Sequence, residues 1–355
     1  MLSTLKDTFK VFMPGDELVS YEELASGHIN DTFLVKTEQN GKYILQKINK
    51  GVFGDVPGLI LNKVKVSQHL HQKLSFLSKE ERQRRILTFL SIGNGEFCYV
   101  DSNGDFWNAS IFIDHSQTFE TVSDPKVAYE GGKLFGEFIQ LTQDFDPAQL
   151  VEVIPRFHDM SFRFEQFEDA LKIASDKRKK MAHEYISRAN SLKDEMHILQ
   201  KLKDNGQIRS RVTHNDTKIS NALFDMQGNG LCVIDTDTIM PGIIHYDFGD
   251  AIRTICNTAA EDETDLDKVN FNKDFYDAYS KGFLEKIGTS ITELERKYLA
   301  LGAKSMMFIM ALRFLTDFLN GDIYYKTKYP EHNLDRSKNQ FKLIQSFEEV
   351  MGSVS

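Results

Sequence analysis

The sequence predicts an α+β protein of two lobes, a small antiparallel-sheet lobe over residues 1–112 followed by a larger, mainly helical lobe over 113–355. Three observations predict it. From Tyr21 to about Tyr99 short apolar runs alternate with a glycine turn and a single helical stretch, the pattern of a small sheet carrying one helix. From Asp124 onward apolar residues recur near every 3.6 positions, as in Ala128–Leu141, which is the period of a helix with one buried face. Three strand-like runs interrupt that helical text at 212–235, the first two joined by a polar loop and the last two by a Gly228-Asn229-Gly230 turn.

Composition narrows the class. With 355 residues, 41% hydrophobic and 27% charged, the chain has enough apolar material for a large core. A net charge of −9 and a pI near 5.6 argue against nucleic-acid or membrane-surface partners, which leave a basic footprint. Cys98, Cys232 and Cys256 lie in apolar company without metal spacing and read as reduced thiols of a cytoplasmic protein. The N-terminus lacks an export signal's apolar core, and no apolar run approaches 18 residues, so neither export nor a membrane span is expected. The expected partner is a small molecule, with the chain monomeric. The basic clusters Arg82–Arg85 and Lys177–Lys180 read as solvated helix faces.

Residues 1–20 suit a short helix and connector. Gly27 lies in a turn, Ser26–Thr32, between the strand-like Tyr21–Leu24 and Phe33–Lys36; glycine there lets backbone N–H groups approach phosphate oxygens, a plain hairpin turn being the alternative. Lys42–Asn49 reads as the strand that in kinases presents a phosphate-pairing lysine, yet the position holds Gln46, and Lys47 points to the other face. The helix expected at Leu59–Leu74 contains no glutamate to pair with such a lysine. After a turn at Asp101–Asp105, the strand Phe106–Asp114 ends in a hinge, Phe112 to Asp114, where an adenine could meet backbone groups, and Trp107 reads as core. Gly131, Gly132 and Gly136 weaken the helix that holds them unless another helix packs closely there. Arg163–Asn190 reads as a charged amphipathic helical stretch that faces solvent. Asp250 through Ala259 begins another, and the acidic stretch Ala260–Asp267 reads as a solvated loop, not a metal site. Glu293–Leu319 is a helix whose Met306–Leu319 part is apolar nearly all round, so Arg313 within it should be buried and need a partner. Asp317 at i+4 is one candidate; a bound substrate is the other.

The chemistry concentrates in Val212–Asp225. His214, Asp216, Lys218 and Asn221 sit on one loop, and Asp216 followed five positions later by Asn221 matches the kinase catalytic loop, with the aspartate as base and the amide on the metal. Lys218 falls where kinases often place a lysine on the transferred phosphate. The metal carboxylate must return beside Asn221 through one short hairpin. Asp235 does so, with Asp237 as a possible second ligand. Asp247-Phe248-Gly249 spells the kinase metal motif but comes twelve residues later, so Asp247 is read as a support for the loop. The bland alternative is a set of turn and cap aspartates around a hairpin.

The segment His214–Asp250 resembles the catalytic segment of the aminoglycoside phosphotransferase and choline kinase superfamily. Gly27–Asn30, Tyr43–Gln46, Val212–Lys218, Asp237–Gly242, Asp247–Asp250 and Lys328–Asn333 are similar to the N-acetylhexosamine 1-kinases of bifidobacterial type. The resemblance implies a protein-kinase-like fold that binds ATP and Mg²⁺ in the cleft between its lobes and phosphorylates the anomeric hydroxyl of GlcNAc or GalNAc. It implies that Asp216, His28, Arg313 and Tyr324 grip the sugar, with Tyr325 and Tyr329 as further aromatic candidates. Gln46 also resembles the equivalent position in those kinases. Two other readings stay open: a kinase of the same fold acting on homoserine, choline, methylthioribose or an aminoglycoside, and a non-catalytic nucleotide-binding protein.

Overall fold

The computed structural model describes residues 1–24 and 29–352. Gly27 and His28 lie outside the described residues. The chain opens with helix α1 (Leu2–Phe12) and builds a five-stranded antiparallel sheet from β1 (Leu18–Glu23), β2 (Asp31–Thr37), β3 (Lys42–Ile48), β4 (Tyr99–Val100) and β5 (Phe106–Ile111), in the order β1-β2-β3-β5-β4. The period of two along β3 decides what each face sees. Leu45 joins Phe9, Phe33, Val35 and Trp107 in a core under α1. Ile48 joins Val56, Leu59, Ile60 and Val64 of helix α2 (Val56–Lys73) on the other face. Gln46 shares the α2 face. Lys47 is turned away and pairs with Asp31 at 2.8 Å. Asp55 caps α2 by accepting the Gly58 N–H, with proline in the first turn.

Helix α3 (Lys79–Arg85) starts in a Ser78/Glu81 capping box. Its basic residues are not simply solvated: Arg85 forks onto Glu137 and Arg84 donates to the Asp114 carbonyl. A short β6 (Ser116–Gln117) then leads to α4 (Pro125–Leu141), the helix with three glycines. A Cβ on Gly132 would collide with the Tyr279 carbonyl oxygen, and one on Gly136 with that of Phe283, both in α10 (Lys273–Ile287). Gly282 of α10 meets the Tyr129 carbonyl reciprocally. The glycines therefore exist for backbone-to-backbone approach. Gly132→Ala should lower the urea midpoint by an amount equivalent to about 1–3 kcal/mol; an unchanged midpoint would contradict this packing.

The single helix expected over Arg163–Asn190 is instead α5 (Met160–Ile173), α6 (Asp176–Met181) and α7 (His183–Met196), followed by α8 (Ile198–Asp204). Ser175 accepts the Arg178 N–H and so starts a new helix where the charge pattern alone suggested continuation. Nor does that stretch face only solvent. Arg163, Phe164, Phe167 and Ala170 are buried on one side of α5, and Arg178 of α6 is held by Asp322 at 2.7 Å.

Two small sheets carry the centre of the molecule. Strand β7 (Arg211–Thr213) pairs with β10 (Met240–Gly242), and β8 (Ala222–Asp225) lies between β6 and β9 (Gly230–Val233). Helix α9 spans Ile244–Ile255, beginning six residues earlier than the sequence suggested, so that Asp247-Phe248-Gly249-Asp250 is helical. Phe248 packs on Tyr276, Tyr279 and Phe283, and Gly249 lies against the Gly302 backbone. Tyr298 interrupts the last expected helix, giving α11 (Glu293–Lys297) and α12 (Leu299–Asn320), with α13 (His332–Met351) closing the chain. By length and composition α12 could cross a membrane, but 78% of its apolar window is buried within the fold.

Candidate active site

The loop after β7 is built from its backbone outward. Asp247 and Asp250 stand one turn apart on α9 and aim at the loop's amide groups. Asp247 accepts the N–H of His214 and of Asn215, each at 2.8 Å, and Asp250 accepts that of Thr217 at 3.0 Å. Burial raises Asp247 to about 6 against the pull of those two N–H groups. Asn215 adopts the left-handed region, φ 64°, which asparagine tolerates, and its amide is fastened to the carbonyl oxygens of Thr213 and Thr238. His214 is fully buried, bonded through Nε2 to the Ile234 carbonyl at 2.9 Å, with Phe135 and Phe138 edge-on to its ring. It is a wall of the site. It does not face the cleft.

That scaffold leaves Asp216 projecting. Its Oδ2 accepts the Asn221 amide at 2.8 Å and faces the Lys218 ammonium at 3.0 Å. Asn221 also donates to the Asp216 carbonyl, so both of its N–H groups point back at one residue and its amide oxygen points away. Burial works against the charge on Lys218, but Asp216, Asp235 and Asp250 outweigh it and hold its pKa above the ordinary lysine value.

Strands β8 and β9, turning through Gly228 with Asp225 bound to the Gln227 and Asn229 amides, return the chain to Asp235. Asp235 takes left-handed backbone angles, φ 56° and ψ 56°, and its side chain caps nothing. Solvent reaches it through the cleft, yet protein surrounds it on most sides. That low-polarity surrounding, then Asp237 and Asp216, push its carboxyl up to about 7, with Lys218 and Lys63 pulling the other way. Carboxylates that repel one another beside a free amide oxygen form a site short of one cation. A divalent metal fits that deficit. Among the described residues no group of three His, Cys, Asp or Glu side chains could hold a metal alone.

Asp237, the other carboxylate near the hairpin, is engaged elsewhere. It accepts from Lys63, Gln46 and Asn30. Sequence reasoning missed Lys63, although a signal was present: it lies on the apolar stripe of α2 with Leu59, Ile60 and Val64 and so faces inward. At the hinge, the Phe112 N–H is taken by the Lys42 carbonyl, and the Asp114 carboxylate meets Lys42 at 2.5 Å.

The acceptor side departs from expectation at Asp317. Its carboxylate does not pair with Arg313; it accepts the N–H groups of Ile323, Tyr324 and Tyr325 and the Asn333 amide. Those donors fix the loop that follows α12. Arg313 is half-buried, not buried, and among the described residues it has no carboxylate partner. The rings of Phe157, Tyr325 and Tyr324 surround its guanidinium at 5.5, 5.5 and 5.9 Å. Tyr324 is 70% exposed, while Tyr329 packs tilted against His332, ring centres 4.9 Å apart. Burial and the charge of Arg313 bring Arg163 down to about 10, and burial together with both arginines keeps the neighbouring His158 well below its usual value.

The acidic stretch after α9 is not free in solvent. Glu261 lies between Arg253 at 3.0 Å and Arg336 at 2.5 Å, and Arg253 also holds Asp250 at 2.9 Å. Asp262 meets Lys328 at 2.6 Å.

A family model described as the phosphotransferase enzyme family matches residues 20–282. Solved structures are similar over nearly the whole chain. A microcompartment-associated aminopropanol kinase is 14% identical with a TM-score of 0.65, over 100% of this chain and 98% of its own. Amicoumacin kinase, solved with AMP-PNP and Ca²⁺, is 12% identical with a TM-score of 0.61, over 99% and 94%. The choline kinase of Streptococcus pneumoniae is 16% identical with a TM-score of 0.52, over 98% and 99%. At such identities the likeness shows the fold alone.

Proposed function

Because the chain belongs to the phosphotransferase enzyme family, we propose that it is an ATP- and Mg²⁺-dependent kinase that phosphorylates the anomeric hydroxyl of an N-acetylhexosamine, GlcNAc or GalNAc. One observation supports this acceptor above the cationic ones: among the described residues, Arg313 has no carboxylate to neutralise it and is ringed by aromatic side chains. Choline, an amino alcohol or an aminoglycoside brings its own positive charge, and Arg313 repels it. A neutral ring with hydroxyl and acetamide oxygens can take the guanidinium's hydrogen bonds while stacking against Tyr324 or Tyr325.

Asp216 orients the sugar hydroxyl and accepts its proton. The anomeric hydroxyl is more acidic than an ordinary alcohol, so a carboxylate suffices as base. Asn221 and Asp235 are the residues that would hold Mg²⁺, which when bound neutralises phosphate charge as the terminal phosphoryl leaves ADP for the sugar oxygen. Lys218, fixed against Asp216, places a cation beside the oxygen that attacks. Asp247 holds the loop's amides, and His214 fills the space beneath it.

The test is ATP consumption with Mg²⁺ over GlcNAc, GalNAc, glucose, choline, homoserine and kanamycin. Turnover confined to the N-acetylhexosamines supports the reading; turnover only with a cationic acceptor sinks the sugar assignment and keeps the family. Arg313→Gln should raise KM for the sugar by about 10- to 100-fold and leave KM for ATP unchanged. Equal effects on both constants would move Arg313 out of the acceptor pocket.

A further inference from the structure

ATP-binding sheets of the kinase kind place a lysine on the third strand, where it meets the α- and β-phosphates and is itself held by a glutamate on the following helix. Here Gln46 occupies that strand position and α2 holds no glutamate, and the structure shows what stands in their stead. Gln46 of β3 lies opposite Thr32 and Asn108 in the sheet, on the face toward α2. Its Oε1 accepts Lys63 Nζ at 3.0 Å and Asn108 Nδ2 at 3.2 Å. Two donors on that oxygen leave only one amide orientation, with Nε2 directed at Asp237, 3.1 Å away. Lys63 forms an ion pair with Asp237, both side chains being 4% exposed, and Asn30 adds a further bond to the same carboxylate at 2.5 Å. The turn before β2, strand β3, helix α2 and the aspartate loop all meet at Asp237, two residues beyond Asp235.

A buried ammonium–carboxylate pair adds little net stability, because desolvation offsets the attraction. What such a pair does well is placement. Here the arrangement is the reverse of the usual one: the lysine is on the helix, its carboxylate is on the metal-side loop, and an amide occupies the strand. We propose that Lys63 is the positioning cation of the nucleotide site. It fixes the Gln46 amide so that Nε2 gives one N–H to Asp237 and keeps the second as a neutral phosphate donor, and it fixes the loop of Asp235 and Asp237 against α2. This rests on the ATP-dependent reading above. It also gives the missing strand lysine a meaning other than loss of catalysis.

Nucleotide binding, followed by calorimetry with ADP and Mg²⁺ and needing no acceptor, tests it apart from turnover. Lys63→Met should weaken ADP binding by about 10- to 100-fold and raise KM for ATP but not for the sugar. Lys63→Arg should keep much of the affinity. The transplant Gln46→Lys/Lys63→Gln, which puts the ammonium on the strand within reach of Asp237, should recover most of what Lys63→Met loses. Wild-type ADP affinity in a folded Lys63→Met protein overturns the proposal. So does a transplant that recovers the melting temperature without the affinity, since that is the behaviour of a purely structural pair. If the wild-type protein itself binds neither ADP nor ATP, the kinase reading fails and takes this one with it.

Discussion

Asp216→Asn should lower kcat by about 10²- to 10⁴-fold, the range for loss of a positioned general base, while KM for ATP hardly changes. The substitution keeps size and shape, and the remaining amide oxygen can still accept from Asn221, whose Nδ2 lies 2.8 Å from Asp216 Oδ2. What disappears is the charge that takes the proton. The variant should also be no less stable than the wild type. Asp216 is one of the groups that push Asp235 up to about 7, so removing its charge relieves repulsion in the metal-free protein. Lower activity at equal or greater stability is the pattern of a group placed for function. Measured kcat within tenfold of wild type would remove Asp216 from the role of base; lost activity with a lowered melting temperature would make it a structural residue.

Glu295→Ala should destabilise the protein by about 3–5 kcal/mol, as expected when one partner of a buried ion pair is removed. Arg211 and Glu295 are 3% and 1% exposed, and the guanidinium reaches both carboxylate oxygens, at 3.0 and 2.8 Å. Glu295 is also the capping-box residue of α11, accepting the Thr292 N–H at 2.8 Å. Without it a charged arginine remains buried at the first residue of β7, the strand that leads into the loop of Asp216. Urea unfolding should register the loss. The double substitution Arg211→Met/Glu295→Leu should restore part of it, because apolar pairs of similar volume often replace buried charges without cost. A loss below about 1 kcal/mol for Glu295→Ala would mean that water reaches the guanidinium.

The two predictions differ in how visible their residues were beforehand. Asp216, Asn221 and Asp235 could be read from the chain because loop, hairpin and return are consecutive, so spacing limits their geometry. The strands around Gly27 and Gln46 and the close-packing glycines of α4 were legible for a similar reason, since periodicity and backbone freedom are local properties. Helix ends were less so. Ser175 and Tyr298 break helices that the apolar pattern alone would have continued, and Asp247 proved to stand inside a helix that the sequence began at Asp250.

Long-range pairing was not legible. Nothing in the chain says that Lys63 meets Asp237, that Arg211 meets Glu295, or that Glu261 bridges Arg253 and Arg336. Asp317 shows why: four residues from Arg313 on one helix, it had the spacing of a partner, yet three backbone N–H groups of the next loop compete for its carboxylate and win. By itself, then, the sequence determined the two-lobed class, the loop of Asp216 and Asn221 after β7 and the absence of a lysine at the Gln46 position of β3, all of them consequences of local order along the chain. Which charges were left unpaired, and therefore where a ligand can be held, only the tertiary structure decided, because electrostatic partners are chosen by distance in space and by burial.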